Sequence, residues 1–205
     1  MPVSDLHGSA PDRCEVALLL IDVINDLEFV GGAELLPKAL RMARSIATLK
    51  ARARSHGVPV VYANDNFGRW RSDFSRLLKH CIEDGVRGEG IVKLLLPTED
   101  DYFVLKPKHS GFFSTTLETL LRYLGTRTLI ITGMATDICV LFTANDAYMR
   151  DFRLFIPSDC VAAEENEASV NALAHMKRVM KADTSPSDEI DFAYLLRASD
   201  ELHRN

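Results

Sequence analysis

Short apolar runs alternate along this chain with longer stretches in which apolar residues recur every three or four positions. Residues 16–21 read VALLLI without a polar interruption, the pattern of a strand buried on both faces. Leu36, Leu40, Ala43 and Ala47 then line one side of a predicted helix that Gly57 closes. Further strands are predicted over 58–63, 102–105 and 128–132. Residues 137–149 read as a helix and 154–156 as a short strand. Val170, Leu173, Ala174 and Met180 mark the face of another helix, and 188–197 form a short terminal one. Residues 67–101 are the least regular, interrupted by Gly68, Gly85, Gly88, Gly90 and Pro97. That stretch is a candidate cover for a crevice or part of a subunit interface.

Strand, helix, strand, helix predicts a parallel sheet with helices on both faces, a three-layer Rossmann-like α/β sandwich. With 205 residues the chain is long enough for one sizeable core and short for two. Residues 15–205 are therefore expected to form a single domain behind an N-terminal extension, 1–14. Ligands of open parallel sheets bind beyond the carboxyl ends of the strands. That rule selects Asp22, Asp65 with Asn66, Lys106, and the loop at Gly133.

Composition narrows the function classes. A net charge of −5 leaves no basic footprint for nucleic acid and no cationic face for a membrane. No apolar run approaches the roughly 20 residues that span a bilayer. The opening MPVSDLHGSAPDRC lacks the apolar centre of a secretory signal, so a cytoplasmic protein is expected. Cys14, Cys81, Cys139 and Cys160 are too scattered for a zinc site or a redox dithiol and read as free thiols.

Of these, Cys139 has the setting of a nucleophile. It lies in TGMATDICV, just after a buried strand and at a helix start, where unpaired N–H groups favour a thiolate. Asp137 works against that charge, and a small buried core cysteine is the competing reading. Asp22 is either a proton acceptor or a loop acid. Lys106 either supports an ion pair in the crevice or is a solvated strand-end lysine. Three modest signals at three strand ends facing one crevice weigh more together than apart. Trp70, Arg71, Phe112 and Phe113 are candidate substrate contacts, with Arg71 suited to a carboxylate or equally to an ordinary surface role, and each aromatic more often a core residue than a ligand platform. His109, near Lys106, is placed to reach the site, with a loop histidine without catalytic duty as the favoured reading, and His175 reads as structural or exposed.

The segments ALLLIDVINDL, VVYANDNFGRW and FVLKPKHSGFFSTTLETLLRYLGTRTLIITGMATDICVLFTANDAYMRDFRLFIPSDCVA resemble the isochorismatase-like hydrolases from about residue 16 to residue 180. The resemblance implies a catalytic trio of Asp22, Lys106 and Cys139. It also implies a cis peptide between Met134 and Ala135, and an oxyanion hole made by the N–H groups of Ala135 and Cys139. Hydrolysis of a small amide, ureido or related C–N bond through a thioester follows, on a small-molecule substrate. The alternatives are vinyl ether hydrolysis of the true isochorismatase type, or an idle family member that binds without turnover. A homodimer or homotetramer is implied too. Where relatives often read D-x-Q-x-x-F, this chain has Asp22, Ile24 and Leu27, which makes the pocket floor more apolar. Nicotinamidases carry an aspartate and two histidines after the second strand. Here Asn64, Asp65, Asn66 and Phe67 stand there, with no histidine before His80. One carboxylate without imidazoles is a poor transition-metal site, so no metal and no other cofactor is expected.

Overall fold

A computed structural model describes residues 13–65 and 73–202. It contains β1 (Val16–Ile21), β2 (Val60–Asp65), β3 (Tyr102–Lys106), β4 (Thr128–Met134), β5 (Arg153–Phe155) and β6 (Val161–Ala162). These make one parallel sheet in the order β3-β2-β1-β4-β5, with β6 beside β4. The chain enters at the centre, builds outward through β2 and β3, then crosses to β4. The reversal falls between β1 and β4, the position where open α/β sheets form a crevice at their carboxyl ends. Asp22 leaves β1 there and Cys139 follows β4.

Period-2 alternation divides β1 between two cores. Val16, Leu18 and Leu20 join one cluster; Ala17, Leu19 and Ile21 join the other. The first cluster is roofed by α1 (Gly32–Ser55), α2 (Phe74–Glu83), α3 (Glu89–Leu94) and the start of α7 (Phe192–Leu202). The second is covered by α4 (Leu117–Leu124), α5 (Leu141–Tyr148) and α6 (Asn166–Met180). Every β1 side chain is fully buried, so truncating Leu18 or Leu19 to alanine would cost about 2–5 kcal/mol. Among the described residues, no helix is long and apolar enough to cross a membrane. All four cysteines are free.

The structure corrects several boundaries. In α1 the row Leu35, Ala39, Met42, Ile46, Leu49 and Ala53 faces the sheet together with Ala43, while Leu36, Leu40 and Ala47 are half-buried at its margin. Two adjacent apolar rows satisfy the same helical period, and only the sheet selects between them. In α6, Ala172, Met176 and Met180 form the buried i, i+4 row; Val170 is exposed, as is Ala174. The irregular 67–101 stretch holds α2 and α3, separated by Gly85 at φ 65° and by Gly88. The terminal helix starts later than expected, at Phe192, after a single 3-10 turn over Ser187–Glu189. Strand β3 runs one residue further than expected and so includes Lys106.

Candidate active site

Three strand ends converge on one cluster. Asp22 sits in the left-handed region at φ 53°, with its N–H bonded to the Ala63 carbonyl at 3.0 Å. Its Oδ1 accepts the Asp65 N–H at 2.7 Å. Oδ2 lies 2.8 Å from the Lys106 ammonium. Lys106 closes β3 in register with Asp65 of β2, and its side chain is fully buried. Its Nζ also donates to the Lys108 carbonyl at 3.3 Å and approaches Asp65 Oδ2 at 3.6 Å. The Cys139 sulfur is 3.5 Å from the same nitrogen, and it shares a hydrogen bond with the Asp22 carboxyl.

Cys139 is delivered by a tight exit from β4. Gly133 has φ 111° and pairs with Ile21; a Cβ there would sit 2.0 Å from the Ile21 carbonyl oxygen, so only glycine fits. A cis peptide joins Met134 to Ala135. One π turn, Thr136–Val140, then precedes α5. The Ala135 carbonyl accepts from the N–H groups of Ile138 and Val140, both at 3.1 Å. The second bond spans five residues and replaces the one that Cys139 would donate in a regular helix. Expected as the first turn of an α-helix, this segment is wider than that. Thr143 Oγ1 holds the Cys139 carbonyl at 2.7 Å, and Ser169 of α6 bonds Thr136 at 2.9 Å.

Burial, then the Asp22 charge, push the Cys139 thiol up to about 12, against the opposing pull of Lys106. A helix start alone was expected to favour a thiolate; desolvation and the neighbouring carboxylate outweigh it. Burial also raises the Asp22 carboxyl, with Lys106, the thiol and the Asp65 N–H pulling the other way. Burial would lower the Lys106 ammonium, yet Asp22, Cys139 and Asp65 together raise it. The resting cluster thus pairs a neutral thiol with a charged lysine, beside a carboxyl more basic than an exposed one.

Phe112 is buried, its ring 6.0 Å from that of Phe152, with the Arg150 guanidinium 4.9 Å from its centre. Phe113 is 54% exposed. Trp70 and Arg71 lie outside the described residues. His175 is exposed. Asn64 is buried and donates to the Ile24 carbonyl at 2.7 Å, pinning the segment after Asp22. Among the described residues, no group of three or more His, Cys, Asp or Glu could hold a metal. Asp65 shares the shell of the Lys106 ammonium, a poor neighbour for a cation. His109, close to Lys106 in sequence, does reach the cluster: its Nδ1 lies 3.8 Å from the Cys139 sulfur. Its only signal in the sequence was its place three residues after Lys106.

A parallel α/β sheet with aspartate, lysine and cysteine gathered at its switch point is the arrangement of a cysteine hydrolase. The pattern of the Isochorismatase domain family matches residues 16–186, and the chain belongs to that family of hydrolases. It is 41% identical over 178 residues to the uncharacterized isochorismatase family protein YaaI of Bacillus subtilis (strain 168), covering 87% of this chain and 97% of that one. Its fold is similar to N-carbamoylsarcosine amidase from Thermoplasma acidophilum, with TM-score 0.68 and 28% identity, over 86% of this chain and 99% of that one. It is also similar to the nicotinamidase/pyrazinamidase PncA from Bacillus subtilis, with TM-score 0.66 and 28% identity, over 83% and 99% of the two chains.

Proposed function

We propose that this protein is a cysteine amidohydrolase that cleaves a small amide, ureido or related C–N bond through a thioester on Cys139. The observation that carries this reading is the contact of one lysine nitrogen with both the Asp22 carboxylate, at 2.8 Å, and the Cys139 sulfur, at 3.5 Å. A thiol held near 12 is a weak nucleophile until a base removes its proton as it attacks. Asp22, hydrogen-bonded to that thiol and made more basic by burial, is the base. Sulfur attacks the carbonyl carbon, and the proton passes through Asp22 to the leaving nitrogen as the C–N bond breaks. Lys106 keeps the Asp22 charge compensated within the buried floor. The N–H groups of Ala135 and Cys139 receive the developing oxyanion, and the five-residue closure at Ala135 supports that role by leaving its carbonyl to Ile138 and Val140. Similarity to an amidase and to a nicotinamidase supports the amide class, and a thiol nucleophile suits it better than a vinyl ether. The test is ammonia release from a panel of primary amides and ureido acids. Wild-type turnover that disappears in Cys139→Ala, with the fold retained, is expected; near-wild-type activity in that variant overturns the thioester.

A further inference from the structure

Four contacts close a ring around the nucleophile. The Cys139 sulfur lies 3.5 Å from Lys106 Nζ, and that nitrogen donates to the Lys108 carbonyl at 3.3 Å. Three residues further along, the Gly111 N–H donates to Thr143 Oγ1 at 3.0 Å. The same hydroxyl donates to the Cys139 carbonyl at 2.7 Å, which returns the ring to its start. The two contacts at Lys106 are the long ones and the two at Thr143 the short ones, so the side that runs through Thr143 is the firmer. Thr143 is fully buried in α5, and a hydroxyl can donate one hydrogen bond while accepting another. Its branched Cβ restricts the rotamers from which it can do so. Its methyl stands where the loop comes closest: a Cβ at Gly111 would lie 3.5 Å from Thr143 Cγ2 and 3.1 Å from Leu117 Cδ2. The loop is tied to α5 a second time, by the Ser110 hydroxyl on Asp146 at 2.5 Å, but that bond involves no atom of the nucleophile turn.

We infer that Thr143 is a positioning residue of this hydrolase, its hydroxyl fixing the turn of Cys139 against the loop that follows Lys106, so that sulfur and ammonium stay within reach as the thioester forms. This rests on the thioester reading above. Thr143 touches no reacting atom and acts through the backbone of Cys139 and of Gly111. Without the hydroxyl, the buried Gly111 N–H loses its acceptor and the Cys139 carbonyl loses a donor. Loop and turn then relax independently, and the Lys108 carbonyl moves with the loop. A misplacement of about 1 Å is enough to slow a reaction about 10²-fold.

The test compares Thr143→Val, which keeps the shape and removes the hydroxyl, with Thr143→Ser, which keeps the hydroxyl and removes the methyl. The probe is p-nitrophenyl acetate: sulfur bonds the acetyl carbon, p-nitrophenolate leaves with the electron pair of the broken C–O bond, and Asp22 takes the thiol proton. Acetylation of Cys139 is timed by intact mass and located by peptide mapping, well below each variant's melting temperature. Thr143→Val is expected to acetylate about 10- to 10²-fold more slowly than wild type, and Thr143→Ser within about threefold of it. Both should melt lower, one for its lost bonds and one for its lost methyl, so rate and stability part company. Thr143→Ala, the better helix former, is read in the same way if the valine form does not fold. A hydroxyl-free variant at the wild-type rate, or serine slowed as much as valine, overturns the positioning role. Failure of both hydroxyl-free forms to fold makes the hydroxyl a structural element and overturns it as well. If Cys139 of the wild type is not acetylated, the thioester reading itself has failed and the positioning role falls with it.

Discussion

At the start of β3, Asp101 holds the Lys50 ammonium at 3.0 Å; at its end, Lys106 holds Asp22 at 2.8 Å. Both lysines are buried, and either pair taken alone would pass for a functional centre. Lys50 spends its three protons on Asp101, the Tyr62 hydroxyl at 2.5 Å and the Leu96 carbonyl at 2.8 Å. Asp101 also receives Arg54 and the Thr98 N–H, at 2.6 Å and 2.9 Å, so its shell is complete. Burial dominates Lys50 and lowers its pKa despite Asp101, whereas the charges around Lys106 raise its own. The first cluster ties α1 to β2 and the loop before β3. The second includes a thiol, at the carboxyl edge where the crevice forms. A buried ion pair is thus weak grounds for a site; a reactive partner and the right end of the sheet are what distinguish one.

The greatest expected contrast is in turnover. Cys139→Ala should lower kcat by about 10⁴-fold or more while circular dichroism and melting stay near wild type. Lys106→Met should lower kcat by about 10²–10³-fold, because Asp22 then loses the charge that keeps it ionised. Lys50→Met should leave kcat within about twofold, since its cluster is far from the thiol along β3, but cost about 1–3 kcal/mol in denaturant unfolding. Equal losses of activity in the two lysine variants would erase the distinction between the clusters.

Smaller effects follow from protonation. Asp22 acts as a base only when ionised, so kcat/KM is present above its pKa and is lost as pH falls through it. Burial raises that pKa, so the acid limb of the profile should lie above the ordinary carboxylate range of about 4. A limb at or below that value would remove Asp22 from the role. Alkylation of the free enzyme by iodoacetamide should be slow at neutral pH and keep climbing to the alkaline limit of stability, because the thiol sits near 12. A plateau near neutrality would mean a resting thiolate. The smallest effect expected is none: exhaustive chelation should leave the rate unchanged, and recovery with a single divalent ion after loss would restore the nicotinamidase-like alternative.

Much of this was legible in the order of residues. VALLLI has the pattern of a strand buried on both faces, and it ends on Asp22; TLIIT leads through Gly133 into the turn of Cys139. The apolar run is a local signal that carries its reason with it, whereas Gly133 owes part of its constraint to the Ile21 carbonyl on the neighbouring strand. The rows of α1 and α6 were not legible, since two apolar stripes fit one helical period and only contact with the sheet decides between them. Phe112 and Phe113 are neighbours of one kind, yet one lies under Arg150 in the core and the other is exposed.

The sequence by itself determined the sheet class, its doubly covered strands, and the strand ends from which Asp22, Lys106 and Cys139 leave. The resemblance had already singled out Lys106, but only the tertiary structure shows its nitrogen 3.5 Å from the thiol, because register across β2 and β3 sets where a long side chain ends. It alone shows what raises the thiol pKa, burial and then Asp22, since desolvation depends on everything packed around the sulfur. It alone brought His109 to the nucleophile, through a chain of hydrogen bonds from Lys106, Asp146 and Thr143 that lie far apart in sequence.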